Sequence, residues 1–273
     1  MATLKGIMGS KPVVALVRAG ATLYLAITLL ATGFVACLLP QTTAMLADRT
    51  VNTELSSFDH DELVKGALAT RDYSFFAHDK HALLATVYEM NQDLLASGFT
   101  YPSYLKHPKI DTTANAQSLT TEQLQSALYG SNEIYSLDDE AISHLDDVYN
   151  VAHIAFIVLG VIAILAIAAT AHVVFYRRWR GVWSIFALAG GGLLVLFIAL
   201  GIAAAADFTS FFATFHSFFF AEGSWVFSID SLLICMLPQG FWIGMGGVWL
   251  AVTALLSALS LFLGVMLRKR GQR

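Results

Sequence analysis

The chain has 273 residues, of which 56% are hydrophobic and only 13% charged, and its mean hydropathy is +0.64. This composition excludes an ordinary soluble domain and favours a protein that resides in a membrane. The net charge of −4 is the sum of basic segments and acidic segments of the chain, which are separate. It therefore gives no indication of a nucleic-acid partner.

Four apolar runs predict transmembrane helices. A bilayer core about 30 Å thick needs roughly 20 apolar residues in helical conformation. The runs, none of which contains Lys, Arg, Asp or Glu, are Ala19 to Leu39, Val151 to Phe175, Val182 to Ala206 and Phe241 to Leu267. We therefore expect an all-α integral membrane protein with transmembrane helices at 19–39, 151–175, 182–206 and 241–267.

The charged residues between the runs predict the orientation, because positively charged flanks stay in the cytoplasm. All 20 acidic residues fall within 40–150 and 207–240. Most of the basic residues fall elsewhere, namely Lys5, Lys11, Arg18, Arg177, Arg178, Arg180, Arg268, Lys269, Arg270 and Arg273. We expect residues 1–18, 176–181 and 268–273 to be cytoplasmic, with both termini inside and the acidic segments outside.

The first run shares a basic start and an apolar stretch with signal peptides, but it is too long for a typical signal-peptide core. The sequence Phe34 to Cys37 distantly resembles a lipidation site of bacterial lipoproteins, in which Phe34 fits poorly. Cys37 and Cys235 can form a disulfide if both lie near the outer surface. We expect them instead to be small apolar residues in packed helices.

Residues 40–150 are too many for a connecting loop, so we expect a helical extracytoplasmic domain. Apolar residues recur every three to four positions from Asp61 to Leu68 and from His81 to Leu95, and Gly98 can end the second of these helices. Thr120 or Thr121 can cap a short helix through Leu128, which Gly130 ends.

Ser136 provides a hydroxyl N-cap, followed three residues later by Asp139. No helix-breaking residue follows before Phe175. The pattern therefore predicts one helix that continues into the second membrane span and carries His144, Asp146 and Asp147 at the membrane surface.

The segment 207–240 is rich in aromatic residues, which indicates an element at the membrane interface. On a helix, Phe208, Phe211, Phe212 and Phe215 form one stripe, and we expect His216 to lie off it. Within the spans, Gly190-Gly191-Gly192 and Gly246-Gly247 suggest close helix contacts.

Histidines are the candidates for chemistry, because imidazole titrates near neutrality. His78 and His81 could offer two nitrogens to a metal, but no third ligand is clear and Lys80 would repel a cation. The chain lacks the sequence motifs of serine hydrolases and zinc proteases. His144 and His216 remain, and we expect them to be neighbours because a short loop joins the helices that carry them towards the outside.

At these residues the chain resembles a known family. The stretch from Ser143 to Val148 at the start of a membrane helix, then Phe215 to Phe220 and Trp225 to Pro238, resembles the bacterial family that includes lipoprotein intramolecular transacylase, Lit. The resemblance covers mainly residues 136 to 267. The stretch of about 78–130 resembles an insertion that is atypical of the family.

The resemblance implies an acyl shift within a diacylglyceryl lipoprotein, from the second glycerol oxygen to the α-amino group of the N-terminal cysteine. It implies diacylated lipoproteins as substrates, membrane lipids as surroundings, and no cofactor or metal. His144 and His216 are then the catalytic residues, one a general base and the other an acid or oxyanion stabiliser, in an undecided order. The expected substrate-binding residues are Phe215, Trp225, Asp147, Glu222 and Asp230.

Several of these residues can also be interpreted in another way. Asp147 could fix the tautomer of His144 or be a solvated acid at a helix start, and Trp225 and the phenylalanines could line an acyl groove or anchor the protein in lipid. Two other functions also fit the chain: a non-enzymatic protein whose outer domain binds a protein partner, and another lipid-modifying enzyme on the same scaffold. The sequence gives no oligomeric state.

Overall fold

The computed structural model describes residues 4–177 and 181–271, and within these ranges every regular element is a helix. Arg178, Arg180 and Arg273, which contributed to the predicted orientation, lie outside the described residues. The elements in chain order are α1 (Leu4–Met8), α2 (Lys11–Cys37), α3 (Pro40–Thr50), α4 (His60–Phe75), α5 (Lys80–Ala96), a 3₁₀ turn (Ala116–Ser118), α6 (Thr121–Leu128), α7 (Asp139–Arg177), α8 (Trp183–Ala206), α9 (Phe208–Ser217), α10 (Leu232–Met236) and α11 (Gln239–Gly271).

Four of these helices, α2, α7, α8 and α11, are long and apolar enough to cross a membrane. The prediction of four such helices is confirmed. Two of them extend well beyond their apolar runs: α2 begins at Lys11, and α7 begins at Asp139 and has 39 residues. The chain is thus a multi-pass membrane protein.

The chain divides into two compact units. The span unit contains residues 1–37, 154–211 and 247–273, and the polar unit contains residues 38–153 and 212–246.

Helices of the span unit approach closely at small residues. A side chain at Gly190 would collide with the backbone of Ser257 and Leu261, and one at Gly264 with the backbone at Ala187 and Trp183. Gly192, Gly246 and Gly247 have open space where a side chain would begin. The glycine prediction is therefore confirmed for Gly190 and wrong for the Gly246-Gly247 pair, because other glycines of α11, Gly244 and Gly264, face neighbouring helices.

The polar unit has a continuous apolar core, built largely from α4, α5, α6 and α10. Leu63, Met90, Leu124 and Leu232 are completely buried. A buried amide crosslinks this core: Asn91 Nδ2 donates to the carbonyls of Val87 and Tyr135 at 2.8 and 2.9 Å, and its Oδ1 accepts from the Tyr101 hydroxyl at 2.7 Å. These bonds satisfy a polar group that would otherwise be costly to bury.

Helix starts in the polar unit follow local sequence signals. Asp59 and Glu62 form a capping box at α4, and Thr120 and Gln123 form one at α6, as predicted for Thr120. The cap predicted at Ser136 is wrong: α7 begins at Asp139, and Asp138 Oδ1 accepts from the Ala141 amide at 2.8 Å. Ser136 instead lies before the helix begins. The Asp138 carboxylate is the side chain that accepts a hydrogen bond from a backbone amide of the first helical turn.

Candidate active site

His144 and His216 come together inside the polar unit. His144 lies near the start of α7, and His216 is the penultimate residue of α9. Their ring centroids are 6.4 Å apart, with an angle of 29° between the planes. His216 is only 9% exposed, while His144 is partly buried. The two imidazoles are therefore neighbours in the structure, as predicted.

Aromatic rings pack on both imidazoles. The rings of Phe220 and Phe227 lie 4.9 and 5.6 Å from that of His144. Those of Phe212 and Trp225 lie 3.9 and 4.9 Å from that of His216. An apolar enclosure of this kind keeps water away from the ring nitrogens and strengthens any polar interaction formed there.

The segment after α9 turns back over the histidines. Phe219 and Phe220 both donate their amides to the His216 carbonyl, at 3.0 and 2.9 Å, which ends the helix. Gly223 then adopts a φ of 85°, a left-handed conformation that glycine tolerates without steric cost. At the far end, the Leu232 amide of α10 donates to the Glu133 carbonyl at 2.8 Å. The aromatic segment is thereby held at both ends.

A backbone contact fixes the tautomer of His216. Its Nδ1 lies 2.9 Å from the Phe212 carbonyl, and a carbonyl can only accept, so Nδ1 carries the hydrogen. In the neutral ring Nε2 then presents a lone pair. Burial lowers the pKa of His216 below its ordinary value, against a smaller opposing effect of the Phe212 bond.

His144 is held more firmly in its neutral form. Burial, followed by the positive charge that His216 can carry, lowers the pKa of His144 to about 4, against a smaller opposing effect of the Asp147 carboxylate. Its Nδ1 is buried and has no hydrogen-bond partner among the described residues. At neutral pH the site therefore holds two uncharged imidazoles, one oriented by the backbone and one with an unused ring nitrogen.

The other predicted site residues divide into two groups. Trp225 and Phe215 contact His216, with Phe215 at a ring distance of 5.7 Å. Asp147 and Glu222 are exposed, and Asp147 makes no hydrogen bond to the His144 Nδ1. Asp230 accepts from the Ser228 hydroxyl at 2.5 Å. The ring contacts with His216 thus come from the aromatic members of the predicted substrate-binding set.

The stripe prediction for α9 needs a correction. The prediction places His216 off the face that carries Phe212, yet the two rings are 3.9 Å apart. Residues four apart on a helix share a face, so Phe212 lies directly against the imidazole. The contacts of Phe212, Phe220 and Phe227 with the histidines were not predicted individually, although the phenylalanines were predicted to line a groove or anchor the protein; the i to i+4 spacing was the available signal for Phe212.

The two histidines of the 78–81 pair contact different backbone carbonyls. His78 Nδ1 contacts the Tyr73 carbonyl at 3.2 Å, and its ring stacks on that of Tyr149 at 3.8 Å. His81 Nε2 contacts the Leu119 carbonyl at 2.9 Å. The two cysteines are buried free thiols and do not form a disulfide with each other. The Cys37 thiol donates to the Gly33 carbonyl, and the Cys235 thiol donates to the Ile229 carbonyl.

The fold and this centre define a class of protein: a multi-pass helical membrane protein with two neutral imidazoles enclosed by aromatic rings. Residues 67–242 match the family model described as lipoprotein intramolecular transacylase Lit. The chain belongs to this family, whose members are membrane lipoprotein transacylases.

Solved structures agree at the level of the fold. The in meso structure of the membrane-integral lipoprotein intramolecular transacylase Lit from Bacillus cereus has a TM-score of 0.61 and 15% identity, with 96% of this chain and 99% of that chain covered. A variant of the same protein with one histidine replaced by alanine has a TM-score of 0.58 and 16% identity, over 95% of each chain. No curated protein matches the sequence significantly.

Proposed function

We propose that this protein moves an acyl chain from the second glycerol oxygen of a diacylglyceryl-cysteine lipoprotein to the α-amino group of the same cysteine. The observation that carries the proposal is the pair of imidazoles, 6.4 Å apart and packed among aromatic rings, in a member of the transacylase family. The replacement of a histidine in a structure of the Bacillus cereus relative is consistent with it.

The chemistry needs a base but no enzyme nucleophile. An α-amine has a pKa of about 7.7 to 8, so it attacks an ester readily once its proton has been removed. His216 is suited to be the base, because the Phe212 carbonyl directs the lone pair to Nε2 and burial keeps the ring neutral. Both reacting groups belong to one substrate, and holding them together can contribute on the order of 7 to 11 kcal/mol through positioning.

His144 then acts as a neutral hydrogen-bond donor. With a pKa lowered to about 4, it is uncharged at neutral pH and carries one ring N–H. Donation from this N–H to the glycerol oxygen stabilises that oxygen as its bond to the acyl carbon breaks. Its buried Nδ1 has no partner in the described part of the chain, which leaves that nitrogen available to the substrate.

Substrate contacts beyond the histidines belong to the same proposal. Phe215 and Trp225 pack on His216 and are placed to line the acyl groove. Asp147, Glu222 and Asp230 provide carboxylates for the substrate ammonium group before it is deprotonated. Diacylated lipoproteins are the substrates and membrane lipids the surroundings.

The proposed orientation places both termini in the cytoplasm and the polar unit outside. It is supported by the clustering of Arg268, Lys269 and Arg270 in the last turn of α11 and by the acidic residues of the polar unit. This side of the membrane is where lipoproteins carry their polypeptide. A reporter enzyme that is active only in the cytoplasm, fused to the C-terminus, should be active, and an inactive reporter would contradict this orientation.

The function is tested by expression in a bacterial host that accumulates diacyl lipoproteins, followed by mass spectrometry of a lipoprotein N-terminal peptide. An intramolecular shift leaves the peptide mass unchanged, so mild alkali provides the readout: it releases ester-linked chains and leaves an amide-linked chain in place. We expect one chain to become resistant to alkali. Two alkali-labile chains would contradict the proposal, and a gain of mass by a third chain would indicate intermolecular transfer instead.

The lowered pKa of His216 predicts a distinct pH profile. The base must be neutral, so activity is present above the pKa of His216 in the folded protein and is lost as the pH falls through it. At subsaturating substrate, the logarithm of the rate should fall with slope one below the substrate amine pKa of about 7.7 to 8. The slope should steepen to two at a second break, below the ordinary histidine value of 6.5, because burial lowers this pKa. A second break above 6.5 would contradict the assignment.

A further inference from the structure

Beside His216, one buried hydrogen-bond donor has no acceptor in the described part of the chain. Trp225 Nε1 is buried and lacks a partner among the described residues, whereas Trp242 and Trp249 donate to the carbonyls of Leu237 and Leu30, each at 3.0 Å. An indole N–H can only donate, and buried donors are nearly always paired. The N–H of Trp225 is therefore available to a group that the polypeptide does not supply.

The location of this donor is beside His216. The indole ring lies 4.9 Å from the imidazole, at an interplanar angle of 36°. The turn at Gly223, in which the Val226 amide donates to the Gly223 carbonyl at 3.3 Å, sets the position of Trp225. The phenylalanines at 212, 215, 220 and 227 that pack on the two histidines carry no side-chain donor. Trp225 is thus the one ring among these neighbours that brings an N–H.

The proposed reaction develops a negative charge that needs such a donor. The amine lone pair forms a bond to the ester carbonyl carbon, the carbonyl π electrons move to its oxygen, and His216 takes the proton from the nitrogen. When the oxyanion collapses, the bond from carbon to the glycerol oxygen breaks, and that oxygen receives the proton from His216. With His144 directed at the glycerol oxygen, the oxyanion itself still lacks a partner.

We propose that Trp225 is a further catalytic residue, whose indole N–H donates to the oxyanion of the tetrahedral intermediate. The inference rests on the proposed function and adds to it, because lining an acyl groove would require only the ring. Donors already aimed at the position of a developing charge stabilise the transition state more than the ground state. The N–H should therefore affect kcat and leave KM nearly unchanged.

The experiment replaces Trp225 in the full-length protein by 3-benzothienylalanine, which keeps the shape of the ring and substitutes sulfur for the N–H. Loss of one oxyanion donor typically lowers kcat by about 100-fold to 1,000-fold, and we expect a decrease of this order with KM within about threefold of wild type. A kcat within about threefold of wild type would overturn the inference.

Trp242 provides a matched control with the same substitution. Its N–H donates to the Leu237 carbonyl, so the isostere should lower the melting temperature of the protein and leave kcat nearly intact. The pH profile separates a catalytic donor from a positioning role for Trp225. The Trp225 isostere should keep the wild-type break for His216, because an indole does not titrate, and a shifted break would overturn the donor role.

The two proposals fail in different ways. If the wild-type protein moves no acyl chain, the proposed function fails and the role of Trp225 with it. If the wild type is active and the isostere is equally active, only the role of Trp225 fails. Should the isostere melt below the assay temperature, Trp225→Phe replaces it, with kcat referred to folded protein and the same outcomes.

Discussion

Alanine at either His144 or His216 is expected to lower the rate of acyl transfer by about 100-fold to 10,000-fold, the usual contribution of a positioned proton-transfer group. The two rings lie 6.4 Å apart, and in the proposed reaction they act on one transition state. The double variant should therefore be little worse than the more damaging single variant, because the effects of residues that act as a unit are not additive. The measurement is the amount of alkali-resistant acyl chain that forms per unit time.

Glutamine distinguishes the two roles. A glutamine amide can donate a hydrogen bond but cannot act as a base near neutral pH. His144→Gln should therefore keep more activity than His144→Ala, whereas His216→Gln should be as inactive as His216→Ala. The opposite ranking would exchange the assigned roles, and full activity in both alanine variants would refute histidine catalysis.

His60→Ala is the matched control for these substitutions. His60 is partly exposed at the start of α4, where its ring contacts Asp61 and the Asp48 carbonyl instead of His144 or His216. The variant should transfer acyl chains at the wild-type rate.

Alanine at Gly190 is expected to have the largest effect on stability. A methyl group there would collide with the backbone oxygen of Ser257 and lie 2.8 Å from the backbone nitrogen of Leu261. Backbone atoms cannot rotate away, so α8 and α11 would have to separate. Overpacking of this kind typically costs about 1 to 3 kcal/mol, and a clash with backbone belongs at the upper end. Thermal unfolding in detergent should show a clear decrease of the melting temperature.

Gly192→Ala tests whether that effect comes from contact. Gly192 lies two residues away in the same glycine triplet, and the space that an alanine methyl group would occupy there is open. Its replacement should be neutral or slightly stabilising, because alanine has the better helix propensity. Equal loss of stability in both variants would mean that glycine flexibility, rather than close packing, is what the triplet supplies.

The four long helices were predictable because hydrophobicity and length act locally, without information on tertiary contacts. The helix starts at Thr120 and Asp139 show both the strength and the limit of local reasoning. Thr120, one of two predicted caps, forms the capping box of α6, whereas Ser136 was the predicted cap of α7 and Asp138 accepts the amide instead. The choice depends on the path of the chain before the helix, which local pattern does not contain.

The candidate site was predictable in its two histidines and less so in their surroundings. His144 and His216 follow from the short connection between α7 and α8 and from the family motifs. The contacts of Phe220 and Phe227 with His144 depend on an irregular segment that folds back, and no period in the sequence encodes that path. The same limit applies to the carboxylates: Glu222 and Asp230 follow His216 closely in sequence, yet Asp230 accepts from the Ser228 hydroxyl.

The unbroken helix from Asp139 to Arg177 has a mechanical consequence. His144 lies before the apolar run that begins at Val151, and the residues between them are helical. Each of these residues adds about 1.5 Å along the helix axis. The distance along α7 from the imidazole to the start of that run at Val151 is therefore set by the rise of the helix. We expect a thicker or thinner bilayer to change the depth of the proposed substrate ester relative to this ring, and hence the rate of the proposed acyl transfer.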